Sequence, residues 1–153
     1  MLPLENLTTA QFFERSCTQY KDKVAIDYCG KKYTYGEFNQ LVDLAARRLI
    51  SLGVKNQDHV GIWCETEPNA IFVLLALEKI GAVACMLGTS LQRNGLVDLV
   101  TRSDISLLLI GNGYKELDFR EIAKNISKDA PLVRDVIFIG EVWKDCGYKR
   151  WFM

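Results

Sequence analysis

Four short apolar runs limit what this chain can fold into: Val60-Gly61-Ile62-Trp63-Cys64, Val83-Ala84-Cys85-Met86-Leu87, Ile105-Ser106-Leu107-Leu108-Leu109-Ile110 and Val136-Ile137-Phe138-Ile139. They are nearly continuous rather than alternating. A strand reads that way when helices cover both faces of a parallel sheet. Helical stretches separate them: Asn69 to Ile80, with Pro68 suited to the first helical position and Gly81 to the stop, then Leu91 to Arg102, then Asp118 to Lys128. Gly95 weakens the middle one by roughly 1 kcal/mol relative to Ala. Strand and helix alternating at roughly 23 to 30 residues predict an α/β fold built on a mainly parallel, doubly wound sheet.

A different pattern precedes them. Thr8-Thr9-Ala10-Gln11 is a capping box, with Leu7 and Phe12 as a hydrophobic staple, and it predicts a helix to about Tyr20. Val24 to Tyr28, a Cys29-Gly30 turn and Lys31 to Thr34 predict a β-hairpin. Thr34-Tyr35-Gly36-Glu37 repeats the capping box, with Tyr33 and Phe38 as its staple. Phe38, Leu41, Val42, Ala45, Leu49 and Leu52 then share one helical face, and Gly53 stops the helix where a left-handed cap would sit.

Composition narrows the function classes. A chain of 153 residues, 49% hydrophobic and 25% charged, is long enough for one ordinary buried core. Nineteen basic and nineteen acidic side chains cancel, which argues against a nucleic-acid partner. Like charges come in pairs such as Lys31-Lys32 and Arg47-Arg48, normally solvated surface. Cysteines 17, 29, 64, 85 and 146 are widely spaced and His59 is the single histidine, so no metal ligand set is expected. Cys64 and Cys85 read as small buried hydrophobes on strands. Free thiols suit a reducing cytoplasm. The start, Met1-Leu2-Pro3-Leu4-Glu5, lacks signal-peptide character. The apolar stretch Ala70 to Leu91 is broken by Glu78 and Lys79 after eight apolar residues, too short for a transmembrane span. Lys79 is expected to keep its tip in solvent.

Chemistry-bearing patterns are sparse. His59 has no nucleophile elbow near it, and no Walker loop occurs. Gly111-Asn112-Gly113 is the one phosphate-loop candidate, but it lacks a third glycine and reads more simply as a polar turn. No catalytic residue and no metal site are assigned, and cofactor-binding residues stay undetermined.

Four segments in register resemble the adenylate-forming enzymes, the superfamily of acyl-CoA synthetases, peptide-synthetase adenylation domains and luciferases. Tyr33-Thr34-Tyr35-Gly36-Glu37-Phe38, with its helix to Leu52-Gly53-Val54, resembles the first core motif. Asp58-His59-Val60-Gly61-Ile62 is similar to the Gly-Asp-x-Val-Ala-Ile segment, with Gln57 where Gly is usual. Glu67-Pro68-Asn69-Ala70-Ile71 resembles a Ser-Pro-Glu-Phe stretch. Leu77-Glu78-Lys79-Ile80-Gly81-Ala82-Val83 matches Leu-x-Lys-x-Gly-Ala-x. Leu87-Gly88-Thr89-Ser90-Leu91 resembles the Asn-Thr-Asn-Leu of fatty-acid transport and very-long-chain acyl-CoA synthetases, with Gly88 in place of Asn.

The resemblance implies the amino-terminal portion of an enzyme that activates a carboxylic acid, a fatty acid on this reading, with ATP and magnesium and passes it to CoA. The family's phosphate loop and catalytic lysine have no counterpart up to Met153, so the chain alone is expected to be inactive. Residues 1–140 are expected to form the α/β subdomain and 141–153 an aromatic-rich tail carrying Trp143, Tyr148, Trp151 and Phe152. The implied partners are the rest of the enzyme beyond residue 153, or a second copy meeting an edge left open after the fourth strand. The implied location is cytoplasmic or peripheral to a membrane. Two alternatives are a stand-alone binding module, with its ligand near Leu87 to Ser90 and Ile110 to Gly113, and a truncated paralogue joined to a full-length enzyme.

Overall fold

Both capping boxes form, and they fix where the first two long helices begin. In the computed structural model, which describes residues 7–140 and 149–150, α1 spans Thr9–Gln19 and α2 spans Tyr35–Ser51. The Thr8 hydroxyl accepts from the Gln11 backbone N–H at 3.2 Å, and Gln11 Oε1 accepts from the Thr8 N–H at 2.9 Å. Thr34 and Glu37 repeat the exchange at 3.2 and 2.8 Å. Two orphan donors are thereby satisfied at each start. Leu7 and Phe12 stay substantially exposed, so the first staple buries little, because α1 turns Phe13 and Cys17 inward instead. Between the helices, β1 (Val24–Tyr28) and β2 (Lys31–Thr34) pair antiparallel around Cys29 and Gly30, both at positive φ, as a two-residue hairpin turn requires.

α2 ends as its sequence predicts. The Val54 N–H reaches the Leu49 carbonyl at 3.0 Å and the Gly53 N–H reaches Ile50 at 2.9 Å, with Gly53 at φ +80°. These are the two bonds of a Schellman stop, and Val54 and Leu49 are both buried beside it.

The parallel sheet is built from β3 (His59–Trp63), β4 (Val83–Met86), β5 (Leu107–Ile110), the strand Asp135–Phe138 and the strand Lys149–Arg150. A short antiparallel ribbon, β6 (Gly113–Tyr114) with β7 (Leu117–Asp118), follows β5, so the last two sheet strands are β8 and β9. Their order is β4-β3-β5-β8-β9. Side chains alternate between two cores, which is why the runs are apolar throughout. Val60, Ile62, Leu107, Leu109 and Ile137 face α1, α2 and α3 (Pro68–Ile80). Trp63, Leu108, Ile110 and Phe138 face α4 (Arg93–Arg102) and α5 (Phe119–Ala123). Helices on both faces complete the doubly wound arrangement.

Several expectations change. The helix anticipated over Asp118 to Lys128 breaks after Ala123: Asn125 adopts a left-handed backbone at φ +55°, and Ile126–Lys128 is a 3-10 turn. Asn tolerates that conformation, and the break leaves Ile126 and Ala130 buried in the second core. The edge expected to be open beyond the fourth strand is covered, since Ile137 pairs with Lys149 and Phe138 with Arg150. Trp143, Tyr148, Trp151 and Phe152 lie outside the described residues. Cys85 is only half-buried, because β4 lies at the sheet's edge.

Lys79 is the clearest correction. Its side chain is 12% exposed rather than tipped into solvent. The ammonium lies 2.9 Å from Glu14 of α1, 2.7 Å from Asp43 and 3.1 Å from Asn39, both of α2, and 6.0 Å from the Phe13 ring centre. One lysine thus joins three helices. Burial alone would push its pKa down, yet the bonds to Asp43 and Glu14 hold it above the ordinary lysine value.

Candidate functional site

In an open doubly wound sheet the ligand crevice lies outside the carboxyl ends of the strands, where the strand order reverses. Here β3 leads through α3 to β4 on one side, and the chain then returns past β3 to β5 on the other. The switch therefore falls between β3 and β5. It brings Cys64 to Glu67 beside Gly111 and Asn112. Of the two loops named for a binding module, Ile110 to Asn112 sits at the switch. Leu87 to Ser90 closes the edge strand, where the Gly88 carbonyl accepts from Trp63 Nε1 at 3.0 Å.

At the switch the ends of β3 and β5 approach closely. Gly111 donates its N–H to the Trp63 carbonyl at 2.9 Å, and a Cβ placed on Gly111 would lie 2.5 Å from Cys64 Sγ and 3.2 Å from Cys64 Cα. Only a glycine lets these two strand ends approach so closely. Cys64 is 6% exposed, and burial, then the Glu67 and Glu65 charges, pushes its thiol up to about 12. At neutral pH it stays protonated, an inert packing group rather than a nucleophile.

Glu67, buried at 6%, is the one fully buried charged side chain among the described residues. It occupies the N-cap position of α3, where the helix end favours a negative charge. Two residues on, Asn69 Nδ2 donates to the Ile139 carbonyl at 2.8 Å, tying the start of α3 to the end of β8. On the other face, the Trp63 indole stacks on Phe119, with ring centres 3.9 Å apart and 18° between planes. Glu67 and Asn69 lie in the motif beginning Glu67-Pro68-Asn69, so its position was visible in sequence. The tether from Trp63 to Gly88 was not, because nothing local pairs residues that distant.

The remaining candidates resolve simply. His59 starts β3, at the amino end of the sheet, and its Nδ1 is 2.7 Å from the Ser103 carbonyl. It is a satisfied structural histidine. The stretch Gly111-Asn112-Gly113 does not form a phosphate cradle: Gly111 packs on Cys64, and Gly113 opens the β6–β7 ribbon. Nor is it the polar turn that the sequence suggested: Gly111 is buried, Asn112 is a bend and the turn falls later, at Lys115 and Glu116. Among the described residues no group of three or more His, Cys, Asp or Glu is placed to hold a metal ion. Nor is any helix among them long and apolar enough to cross a membrane. The residues at the switch join β3, β4, β5 and β8 at one end through part-buried polar tethers.

A family model described as AMP-binding enzyme matches residues 13–145. The chain is 28% identical over 155 residues to YngI of Bacillus subtilis (strain 168), named as a candidate acyl-CoA synthetase; the match covers 92% of this chain and 28% of YngI. It is 31% identical over 134 residues to acetyl-coenzyme A synthetase 1 of Candida albicans, covering 81% of this chain and 20% of that enzyme. Among solved structures, acetoacetyl-CoA synthetase from Streptomyces lividans superposes with a TM-score of 0.79 at 24% identity, over 95% of this chain and 24% of that one. The chain therefore spans between a fifth and three-tenths of the length of each of these three proteins. On the match over residues 13–145 and the two-faced sheet that carries it, the chain belongs to the AMP-binding enzyme family.

Proposed function

We propose that this chain is the amino-terminal, scaffolding part of an ATP-dependent acyl-CoA synthetase. The longer protein would activate a carboxylic acid with ATP and magnesium, release pyrophosphate and pass the acyl group to CoA. The observation that carries the reading is the tightly joined switch point inside a sheet of this family: Gly111 against Cys64, with Asn69 bonded across to Ile139. Strand ends joined in this way support an architectural role, whereas stabilising a phosphate transition state needs donors or a metal. Support for a fatty acid within the acid class is the segment Leu87 to Leu91, similar to that of fatty-acid transport and very-long-chain synthetases. The partner in this reading is the rest of the enzyme, and the location is cytoplasmic or peripheral to a membrane.

The test begins with the DNA downstream of codon 153. A continuing frame with a Ser/Thr/Gly-rich loop supports the reading, and its protein product should exchange pyrophosphate into ATP in the presence of a carboxylic acid. Acetate, medium-chain and long-chain acids in parallel decide the acyl class. A product of such a frame that exchanges pyrophosphate with none of them overturns the proposal.

A further inference from the structure

Charges that stand apart in sequence, the Lys31-Lys32 pair and Arg47, are brought to one place by the fold. β2 and the outer face of α2 enclose a groove of about 440 Å³. Its apolar lining comes from Tyr33, Leu41 and Leu44, and its rim from Lys31, Lys32 and Arg47. Leu44 is 45% exposed, a large apolar side chain left substantially open to solvent. The volume falls in the range of roughly 300–1,000 Å³ typical of small-molecule sites. The groove lies apart from the switch point.

Its charge is lopsided. Three cations face one carboxylate, Glu37, and that carboxylate is already held by the Thr34 N–H at 2.8 Å and the Thr34 hydroxyl at 3.1 Å. The ion pair from Lys32 to Asp27 is long, 3.7 Å, and exposed at both ends, so it holds Lys32 weakly. Lys31 lies over the Tyr33 ring at 5.0 Å and lines the groove. Arg47 has no ion pair among the described residues. An apolar floor beneath a cationic rim is complementary to one kind of guest.

We propose that this groove binds a single anionic amphiphile, its apolar tail on Tyr33, Leu41 and Leu44 and its phosphate or carboxylate head against Lys31, Lys32 and Arg47. The site is separate from the acyl-activating chemistry proposed above and does not depend on it.

Titration calorimetry of the 153-residue chain with decyl phosphate, below its micelle concentration, tests the proposal. The expected result is saturable binding of one molecule per chain. A Lys32→Glu/Arg47→Glu pair should weaken it by at least about tenfold. A Lys124→Glu/Lys128→Glu pair, reversing two charges near α5 on the other face of the sheet, should leave it unchanged. If circular dichroism shows the first pair unfolded, Lys32→Gln/Arg47→Gln replaces it with the same expectation. Equal loss in both pairs, no loss in either, or equally tight binding of neutral decyl maltoside overturns the proposal. So does tighter binding of inorganic phosphate or of an acidic decapeptide. Co-sedimentation with anionic phosphatidylserine vesicles, when monomeric decyl phosphate does not bind, assigns the groove to a membrane surface instead and also overturns it.

Discussion

Lys79 shows how a residue that sequence assigns to the surface can hold a fold together. Its ammonium bonds Glu14, Asp43 and Asn39 at once, while its own side chain is 12% exposed. Truncation to Ala removes those bonds and leaves Asp43 and Glu14 facing each other's charge. Because both carboxylates are 41% to 54% exposed, the loss is moderated by solvent, and Lys79→Ala should cost about 1–2 kcal/mol in a urea titration. The pH dependence has a definite sign. The folded pKa lies above the unfolded one, so this stabilisation is complete below the ordinary lysine range and is lost as pH rises through the folded value. Wild type and Lys79→Ala should therefore differ at pH 7 and converge in strong alkali, with a pH-constant difference counting against the ion network. The periodicity of α3 placed Lys79 correctly at the end of an apolar helix. What it could not supply was Glu14 and Asp43, because the packing of α1 and α2 on α3 is a long-range fact.

At the level of elements, stops and starts were readable because their chemistry is local. Capping boxes, the Cys29-Gly30 turn and the glycine stops each need only a handful of neighbouring residues. Gly81 is the instructive case. It adopts φ +78°, the Ala82 N–H reaches the Leu77 carbonyl at 3.0 Å, and a Cβ there would collide with Asn56 Oδ1. A Val at this position meets both the left-handed backbone and that amide. Gly81→Val should destabilise by roughly 1–3 kcal/mol. Restoring room with Asn56→Ala in the same chain should recover only part of the loss, which chemical denaturation of the single and double variants measures. Full recovery would place the whole cost on the amide and none on the backbone. Elements that sequence missed share the opposite property. The β6–β7 ribbon turns at Lys115, at φ +53°, without Gly or Asn to announce it. The break at Asn125 interrupts a pattern, Phe119, Ala123, Ile126, Ala130, that by itself reads as one helix.

For the whole molecule, the two-faced sheet was predictable from unbroken apolar runs, whereas the close approach at its switch point was not. That approach depends on Gly111 meeting Cys64 across strands distant in sequence. The edges behave differently from the sequence expectation as well. β8 is covered by β9, while β4 presents exposed Val83 and Met86 at the opposite edge. A chain ending at residue 140 uncovers the side of β8 that β9 pairs with, and unpaired strand edges favour association. Light scattering after size exclusion should show the 1–140 chain more associated than the 153-residue chain at equal concentration; equal or lesser association would mean that β9 does not protect the edge. The proposed role is that the chain contributes the frame of an AMP-binding enzyme and, alone, none of its chemistry. It is tested by acid-dependent exchange of labelled pyrophosphate into ATP by the purified 153-residue chain, with acetate, medium-chain and long-chain fatty acids offered in turn. No exchange above a boiled control is predicted for any acid, and measurable exchange in a sample free of host synthetase would contradict the account.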